Sequence, residues 1–199
     1  TVCAIYNSQK YLKIKRVDKK EDIQSILETF LKYNITDIAI ASVVPILENI
    51  FIKKINKIFE IKPFIVTHNN SNIIFKVDNP NEVGADRICN AKAAIHKVGG
   101  NCIIVDFGTA TTYDVLNKQQ EFIGGAIAPG VDVSANYLIK KAALLKETIL
   151  EFPEQIIAKS TKTNIQSGVM YSAVYAIEGM IRHISADLEQ KTTTILTGG

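Results

Sequence analysis

The chain lacks the residue patterns that mark disulfide-bonded, metal-binding and membrane proteins. Its three cysteines form no Cys-x-x-Cys pair and are odd in number, which favours buried free thiols in a reducing cytosol. The three histidines show no metal-ligand spacing. No apolar run reaches the roughly 20 residues that a bilayer crossing needs, and no signal peptide is visible. We therefore expect a cytoplasmic protein without a membrane partner.

The sequence also lacks the two commonest glycine-rich phosphate loops. Neither Gly-x-x-x-x-Gly-Lys-Ser/Thr nor Gly-x-Gly-x-x-Gly occurs, and there is no nucleophile elbow. Positive charge is not concentrated either, since the net charge is only +3 and lysines such as Lys53, Lys54 and Lys57 are spread along amphipathic segments. Such lysines are typical of solvated helix faces, so we expect no nucleic-acid partner.

What the chain does have is an alternation of apolar segments at strand and helix spacing, with 47% hydrophobic residues. This alternation predicts an α/β fold with a largely parallel core in its first half. Gly99-Gly100 ends a predicted helix and marks a boundary between domains at 1–99 and 100–199. We predict strands at 2–6, 11–17 after a turn at 7–10, 38–42, 63–66, 102–105, 112–116, 122–128 and 193–197, and helices at 23–31, 45–59, 85–98, 132–146 and 165–188.

The most informative stretch is Asp106-Phe-Gly-Thr-Ala-Thr-Thr112, at the end of an apolar strand. A carboxylate there can place a cation, and Gly108 lets backbone N–H groups approach phosphate oxygens. The hydroxyls of Thr109, Thr111 and Thr112 add hydrogen-bond donors without charge. The same residues also suit a β-hairpin with a polar tip, so the stretch alone leaves both interpretations open.

Four further blocks accompany this stretch. They are Asn79-Pro-Asn-Glu-Val-Gly-Ala-Asp-Arg-Ile-Cys-Asn90 at a helix start, Gly124-Gly-Ala-Ile-Ala-Pro-Gly130, Ser160-Thr-Lys-Thr-Asn-Ile-Gln-Ser-Gly168 and Ile195-Leu-Thr-Gly-Gly199. In this order and at these spacings, the five blocks resemble the type III pantothenate kinases of the acetate kinase, sugar kinase and actin superfamily. The resemblance covers nearly the whole chain, and the Gly-Ala-Asp-Arg and Asp-Phe-Gly-Thr-Ala-Thr-Thr blocks together are specific.

The resemblance implies an α/β fold of two actin-like (ribonuclease H-like) domains, with mixed sheets flanked by helices and a nucleotide cleft between them. It also implies that N- and C-terminal pieces are missing from this chain. The expected reaction is the ATP-dependent phosphorylation of pantothenate to 4'-phosphopantothenate, the first step of coenzyme A biosynthesis. The implied cofactors are ATP with Mg²⁺ and a monovalent cation, K⁺ or NH₄⁺, and the implied assembly is a homodimer.

The resemblance assigns pantothenate to the Gly-Ala-Asp-Arg block. Asp86 would be the catalytic base, Arg87 would clamp the substrate carboxylate, and Gly84 and Ala85 would lie against the substrate. From the residues alone, Asp86 could equally complement the helix dipole at its N-terminus. Asn90, one turn further along the same side of the helix, could orient Asp86 or its ligand.

The remaining assignments concern the nucleotide and a neighbouring subunit. By resemblance Asp106 binds the monovalent cation, while Thr109, Gly108 and Gly125 contact ATP. Thr161 would reach the pantothenate of the neighbouring subunit. Two alternatives stay open here. The glycines at 124, 125 and 130 suit tight turns as well as nucleotide contact, and the threonine at 161 could be a helix N-cap, as could its neighbours at 160 and 163.

Two features depart from the family pattern. The N-terminal Asp-x-Gly-Asn-Thr/Ser block is not found, and Val77 stands where the family usually has a substrate-lining tyrosine. These departures keep two alternatives to pantothenate phosphorylation in view. One is a non-catalytic regulatory or transcription-accessory relative, and the other is a kinase of a different small hydroxy acid.

Overall fold

The computed structural model of the protein describes residues 2–6, 10–16, 22–141 and 148–198. The predicted turn at 7–10, the last residue of the strand at 11–17, the end of the helix at 132–146 and the final glycine fall wholly or partly outside these ranges. By its contacts the chain forms two units: Thr1–Ser71 with Asn81–Cys89, and Asn72–Pro80 with Asn90–Gly199. Among the described helices, none combines the length and the apolar character that crossing a membrane requires.

The first unit contains a hairpin, a small parallel sheet and two helices. Strand β1 (Val2–Tyr6) pairs antiparallel with β2 (Tyr11–Arg16), and β3 (Ala39–Ile40) pairs parallel with β4 (Phe64–Ile65). Helix α1 spans Asp22–Glu28 and α2 spans Pro45–Phe59. The predicted helix at 45–59 is therefore confirmed, with a proline at its first position, where its missing N–H costs nothing.

The core of this unit lies between the two helices. Ile23 and Leu27 of α1 pack with Phe51 and Ile55 of α2, and all four side chains are buried. In each helix the pair is four residues apart, so both members point to the same side. Burial of each such side chain stabilises the fold by about 1.5–3 kcal/mol, so this cluster is the main hydrophobic contact between α1 and α2.

Helix α3 (Ala85–Val98) begins in the first unit and continues into the second. It follows a short 3₁₀ turn at Pro80–Glu82, as another such turn at His68–Asn70 follows β4. The helix ends at Gly99, whose φ of +83° lies in the left-handed region that favours glycine. Both ends of α3 lie where the sequence predicts them.

The second unit is built on a four-stranded sheet in the order β7-β6-β5-β8. Strands β5 (Cys102–Phe107), β6 (Ala110–Leu116) and β7 (Phe122–Pro129) form an antiparallel meander, and β8 (Thr193–Gly198) pairs parallel with β5. A mixed α/β fold is thus confirmed. The expectation of a largely parallel core in the first half holds for β3–β4 and fails for β1–β2, which is antiparallel.

Two helices complete this unit, α4 (Val131–Lys141) and α5 (Thr161–Asp187). Apolar side chains on one face of the sheet, from Ile103, Val105 and Tyr113, pack against the later turns of α5. Because side chains alternate along a strand, Cys102, Ile104 and Asp106 project from the opposite face of β5. The Asp106 carboxylate of the sequence motif therefore lies on the face away from α5.

Candidate functional site

The Asp-Phe-Gly-Thr-Ala-Thr-Thr stretch forms the end of β5, a tight turn and the start of β6. Gly108 N–H donates to the carbonyl oxygen of Ala110 at 3.0 Å, which closes the turn and leaves Thr109 exposed at its tip. Thr111 and Thr112 extend β6 and project to opposite faces of the sheet. The predicted set of three hydroxyls is thus divided, and Thr109 is the one at the tip of the turn.

The start of α4 is seated on this turn. Gly130 N–H donates to the carbonyl oxygen of Thr109 at 3.0 Å, and Ser134 N–H donates to Gly130 O at 2.9 Å as the first bond of the helix. Gly130 is buried, and a Cβ there would collide with Gly108 O and lie 2.7 Å from Thr109 O. The glycine is required for this close approach, which brings the positive end of a helix dipole beside the exposed Thr109.

Asp106 is held by a single side chain. Its Oδ2 accepts a hydrogen bond from Asn90 Nδ2 of α3 at 2.7 Å, and both residues belong to the second unit. In the described ranges no lysine or arginine pairs with Asp106, and no hydrogen bond reaches its Oδ1. One carboxylate oxygen is thus fixed while the other is uncommitted.

The surroundings of Asp106 offer oxygen atoms that a cation could use as ligands. Its Oδ1 lies 2.6 Å from the position that a Cβ on Gly198 would occupy, so a side chain there would cover the oxygen. Thr112 lies directly opposite Asp106 in the β5–β6 ladder, and its buried Oγ1 has no hydrogen-bond partner among the described residues. A carboxylate and a hydroxyl are oxygen ligands of the kind that hard cations prefer.

The Gly-Ala-Asp-Arg block forms the start of α3. Ile88 N–H donates to Gly84 O at 3.0 Å, which makes Gly84 the N-cap residue and buried Ala85 the first helical residue. Asp86 Oδ1 accepts from Arg87 N–H at 2.8 Å, so the aspartate satisfies one of the free N–H groups at the helix start. The expected interaction of the Asp86 carboxylate with the N-terminus of α3 is therefore present.

This interaction leaves half of the Asp86 carboxylate unused. Asp86 is exposed, and its Oδ2 makes no hydrogen bond within the part of the chain that the structure describes. A Cβ on Gly84 would lie 2.6 Å from Asp86 Oδ1, so glycine gives the carboxylate room to fold back over the helix start. The second carboxylate oxygen of Asp86 is therefore uncommitted among the described residues.

Val77 belongs to a short segment that attaches to β7. Lys76 N–H donates to Phe122 O at 2.8 Å, and the rings of Phe75 and Phe122 are 5.4 Å apart. A Cβ on Gly124 would lie 3.9 Å from Val77 Cγ1, so the valine sits over the start of β7. The segment thus fixes the place at which the family usually carries a tyrosine.

Gly125 lies in the middle of β7, opposite Asp114. A Cβ there would collide with the carbonyl oxygen of Tyr113, so this glycine lets the two strands approach closely. Its assignment to ATP remains a prediction. Asp114 itself has no exposed surface, and nothing in the sequence analysis singled it out, although an acidic residue within an apolar strand is a usable signal.

Thr161 lies at the N-terminus of α5, where its hydroxyl is not needed for capping. Ser160 Oγ accepts from Thr163 N–H at 3.2 Å, and Thr163 Oγ1 accepts from Ser160 N–H at 3.2 Å, which forms a capping box. Thr161 is exposed and lines a cavity of about 610 Å³ between the sheet, α4 and α5. Its other walls include Thr111, Tyr113, Ser134, Leu138, Gly168 and Ala176.

The free thiols lie in three different environments. Cys102 is fully buried in β5, and burial raises its pKa to about 11. Burial, followed by the Asp86 carboxylate, raises the pKa of Cys89, and burial raises the pKa of Cys3. Raised values favour the protonated form, so none of the three is poised as a nucleophile.

The chain is similar to known proteins both in its sequence profile and in its fold. The profile of the type III pantothenate kinase family matches residues 1–183. Among solved structures, the chain is similar to a protein from Campylobacter jejuni that is named as a conserved Baf-family transcriptional activator, with a TM-score of 0.54 and 18% identity. That alignment covers 87% of this chain and 73% of the other. At this identity the likeness supports the fold alone.

Proposed function

The chain belongs to the type III pantothenate kinase family, and from this premise we propose that it transfers the γ-phosphoryl group of ATP to the primary hydroxyl of pantothenate. The product would be 4'-phosphopantothenate, at the start of coenzyme A synthesis in the cytoplasm. The observation that carries the proposal is the contact between α4 and the exposed Thr109 turn. It combines a helix N-terminus, glycine-mediated close approach and a hydroxyl, which together suit a phosphate group.

Each residue then has a defined task. Asp86 Oδ2 would accept the proton of the attacking hydroxyl, and Arg87 would bind the substrate carboxylate through its planar pair of donors. Thr109 would donate to a phosphate oxygen, with the N-terminus of α4 behind it. Asp106 would hold K⁺ or NH₄⁺, which supplies positive charge near the phosphates when bound. Mg²⁺ would enter with ATP.

The architecture and assembly of the family extend this proposal. We take the chain to form two actin-like domains, at 1–99 and 100–199, that bind the nucleotide in a cleft. We also take it to work as a homodimer, in which Thr161 contacts the substrate of the partner. The support is a surface on the second unit where Tyr175 and Phe152 are more than half exposed and Tyr171 stacks on Tyr175. Exposed aromatic residues of this kind are enriched at interfaces.

A second function has a specific observation in its favour. The similar solved structure carries the name of a transcriptional activator, and Val77 replaces a substrate-lining tyrosine. A protein of that kind would keep the fold without phosphoryl transfer. ATP consumption that depends on added pantothenate distinguishes the two, and a panel of other small hydroxy acids covers the remaining alternative.

The test of the proposal is Asp86→Asn, with Asp22→Asn as the matched control. Asp22 also lies in the first turn of an exposed helix start, but on α1. Both changes remove a favourable charge from a helix N-terminus and should cost about 0.3–1 kcal/mol of stability. Only Asp86→Asn should lower kcat, by about 10²–10⁴-fold, while pantothenate binding is kept. Turnover within a few-fold of the parent would remove Asp86 as the base.

A further inference from the structure

Asn90 is the one described residue that hydrogen-bonds the Asp106 carboxylate. The bond is short, with 2.7 Å between Asn90 Nδ2 and Asp106 Oδ2, as expected when a neutral amide donates to a charged acceptor. The assignment of donor and acceptor is unambiguous because an ionised carboxylate can only accept. Asn90 therefore acts on Asp106, whereas the sequence suggested a role towards Asp86.

This bond fixes the direction of the other carboxylate oxygen. With Oδ2 held from α3, rotation of the carboxyl group would break the Asn90 contact, so Oδ1 stays beside Gly198 and the Thr112 strand. Glycine at 198 leaves Oδ1 uncovered, as its missing Cβ would lie 2.6 Å from that oxygen. Asn90 and Gly198 thus act together, one by holding the carboxylate and the other by leaving it open.

The type of side chain that hydrogen-bonds Asp106 also sets the net charge of the site. A lysine or arginine at position 90 would neutralise Asp106, and a second carboxylate would favour a divalent ion. An amide does neither, and leaves one negative charge. Asp114 projects from the same face of the sheet and lies opposite Ile104, two pairs along the ladder from the Asp106–Thr112 pair. Within the Asp106–Thr112 pair, one carboxylate beside one neutral hydroxyl matches a monovalent cation in charge.

We propose that Asn90 is a positioning residue that sets both the orientation and the charge of the Asp106 site, and thereby its preference for monovalent over divalent cations. This inference rests on the proposed function for the cation at Asp106. It adds a residue that selects the ion without touching the substrate.

The experiment measures cation-dependent thermal stabilisation in the absence of nucleotide and pantothenate. The salts are KCl, NaCl, MgCl₂ and CaCl₂, and the variants are Asn90→Ala and Asn90→Asp. Asn117→Asp is the matched control, because Asn117 Nδ2 also donates to a carboxylate, that of Glu121, at 2.8 Å. Asn117 follows β6 at the end of the sheet remote from Asp106, so its change adds the same charge elsewhere.

The parent protein should be stabilised by K⁺ more than by Na⁺ or the divalent ions. Asn90→Ala should weaken the apparent affinity for K⁺ by about 10–100-fold, the usual effect of losing a residue that orients a metal ligand. Asn90→Asp, which has nearly the same shape, should bind Ca²⁺ or Mg²⁺ in preference to K⁺. Asn117→Asp should behave like the parent.

Three results would overturn the inference. They are an unchanged K⁺ affinity in Asn90→Ala, an unchanged ion preference in Asn90→Asp, and an equal change in Asn117→Asp. A parent protein with pantothenate-dependent ATP consumption but no cation response would also refute it, while leaving the proposed function intact. Conversely, an Asn90-dependent K⁺ response in a protein without kinase activity would refute only the proposed function.

Discussion

Replacing Gly130 by alanine tests whether the close contact between the start of α4 and the Thr109 turn is needed for stability and for nucleotide binding. The added Cβ would lie 2.7 Å from Thr109 O and closer still to Gly108 O. Ordinary contacts between carbon and a carbonyl oxygen are about 3.3–3.6 Å, so the turn and the helix must separate by roughly 1 Å. Both colliding atoms belong to the backbone, and a side-chain rotation cannot relieve the overlap.

This separation should affect stability and nucleotide contact together. Overpacking of a buried position costs about 1–3 kcal/mol, and the Gly130–Thr109 hydrogen bond would be stretched from its 3.0 Å. If Thr109 contacts phosphate, a shift of this size should lower kcat/KM for ATP by about 100-fold. Urea unfolding measures the first effect, and calorimetric titration with Mg·ATP together with initial rates measures the second.

Gly179→Ala provides the matched control for this change. Gly179 lies inside α5, and an added Cβ there has no neighbour within 4 Å. Because alanine is the better helix former, this variant should gain about 0.5–1 kcal/mol and keep its ATP affinity. The prediction is refuted if the free energy of unfolding of Gly130→Ala lies within ~0.5 kcal/mol of the parent value and the variant binds ATP equally well. The close approach of Gly130 to Thr109 would then not be needed for stability or for ATP binding.

Two further predictions concern the buried thiol and the assembly. Cys102 has a pKa raised by burial from 9.0 to about 11, so its neutral form stabilises the fold below pH 9, and this contribution is lost as the pH rises towards 11. The loss in free energy of unfolding is at most about 3 kcal/mol, and it should be absent from Cys102→Ala. If the free energies of unfolding of the two proteins change in parallel between pH 9 and 11, the prediction is wrong. For the assembly, light scattering at micromolar concentration should show a dimer, and Tyr175→Glu should dissociate it. The reason is that the variant places a charge in an interface expected to bury on the order of 1,000 Å² or more. A monomeric parent protein would refute the dimer proposal.

Local signals in the sequence predict the helices better than the short strands. Pro45 and Gly99 mark a helix start and a helix end through their own backbone preferences, and both boundaries are observed. Strand pairs depend on a partner that is distant in sequence. The apolar runs at 38–42 and 63–66 accordingly yield only two paired residues each.

The start of α5 shows a different limit. The periodic apolar pattern begins at Ile165, but the helix begins at Thr161 because Ser160 and Thr163 form a capping box. Those first residues are polar, so apolar spacing cannot detect them, whereas the N-cap alternative that the sequence offered at position 160 is confirmed.

The candidate site likewise combines residues that the sequence identifies with contacts that it does not. Asp106, Thr109 and Asp86 stand out by residue type and motif, and the structure places each at the end of an element with an uncommitted group. The Asn90–Asp106 bond and the Gly130 contact join residues that are 16 and 21 positions apart or more, through tertiary packing. No local pattern in the sequence encodes such contacts.

The parallel pairing of β8 with β5 has a consequence for the order in which this site is assembled. Strands β5, β6 and β7 are joined by short turns, whereas β8 reaches β5 only after residues 108–192 have intervened. Closing a loop of that length costs roughly 3 kcal/mol more chain entropy than closing a two-residue turn. Pairing of β8 should thus follow the meander, as contacts between distant segments form slowly. Gly198 arrives beside Asp106 with β8, so the edge of β5 at Asp106 stays open until a segment that is synthesised much later has paired with it.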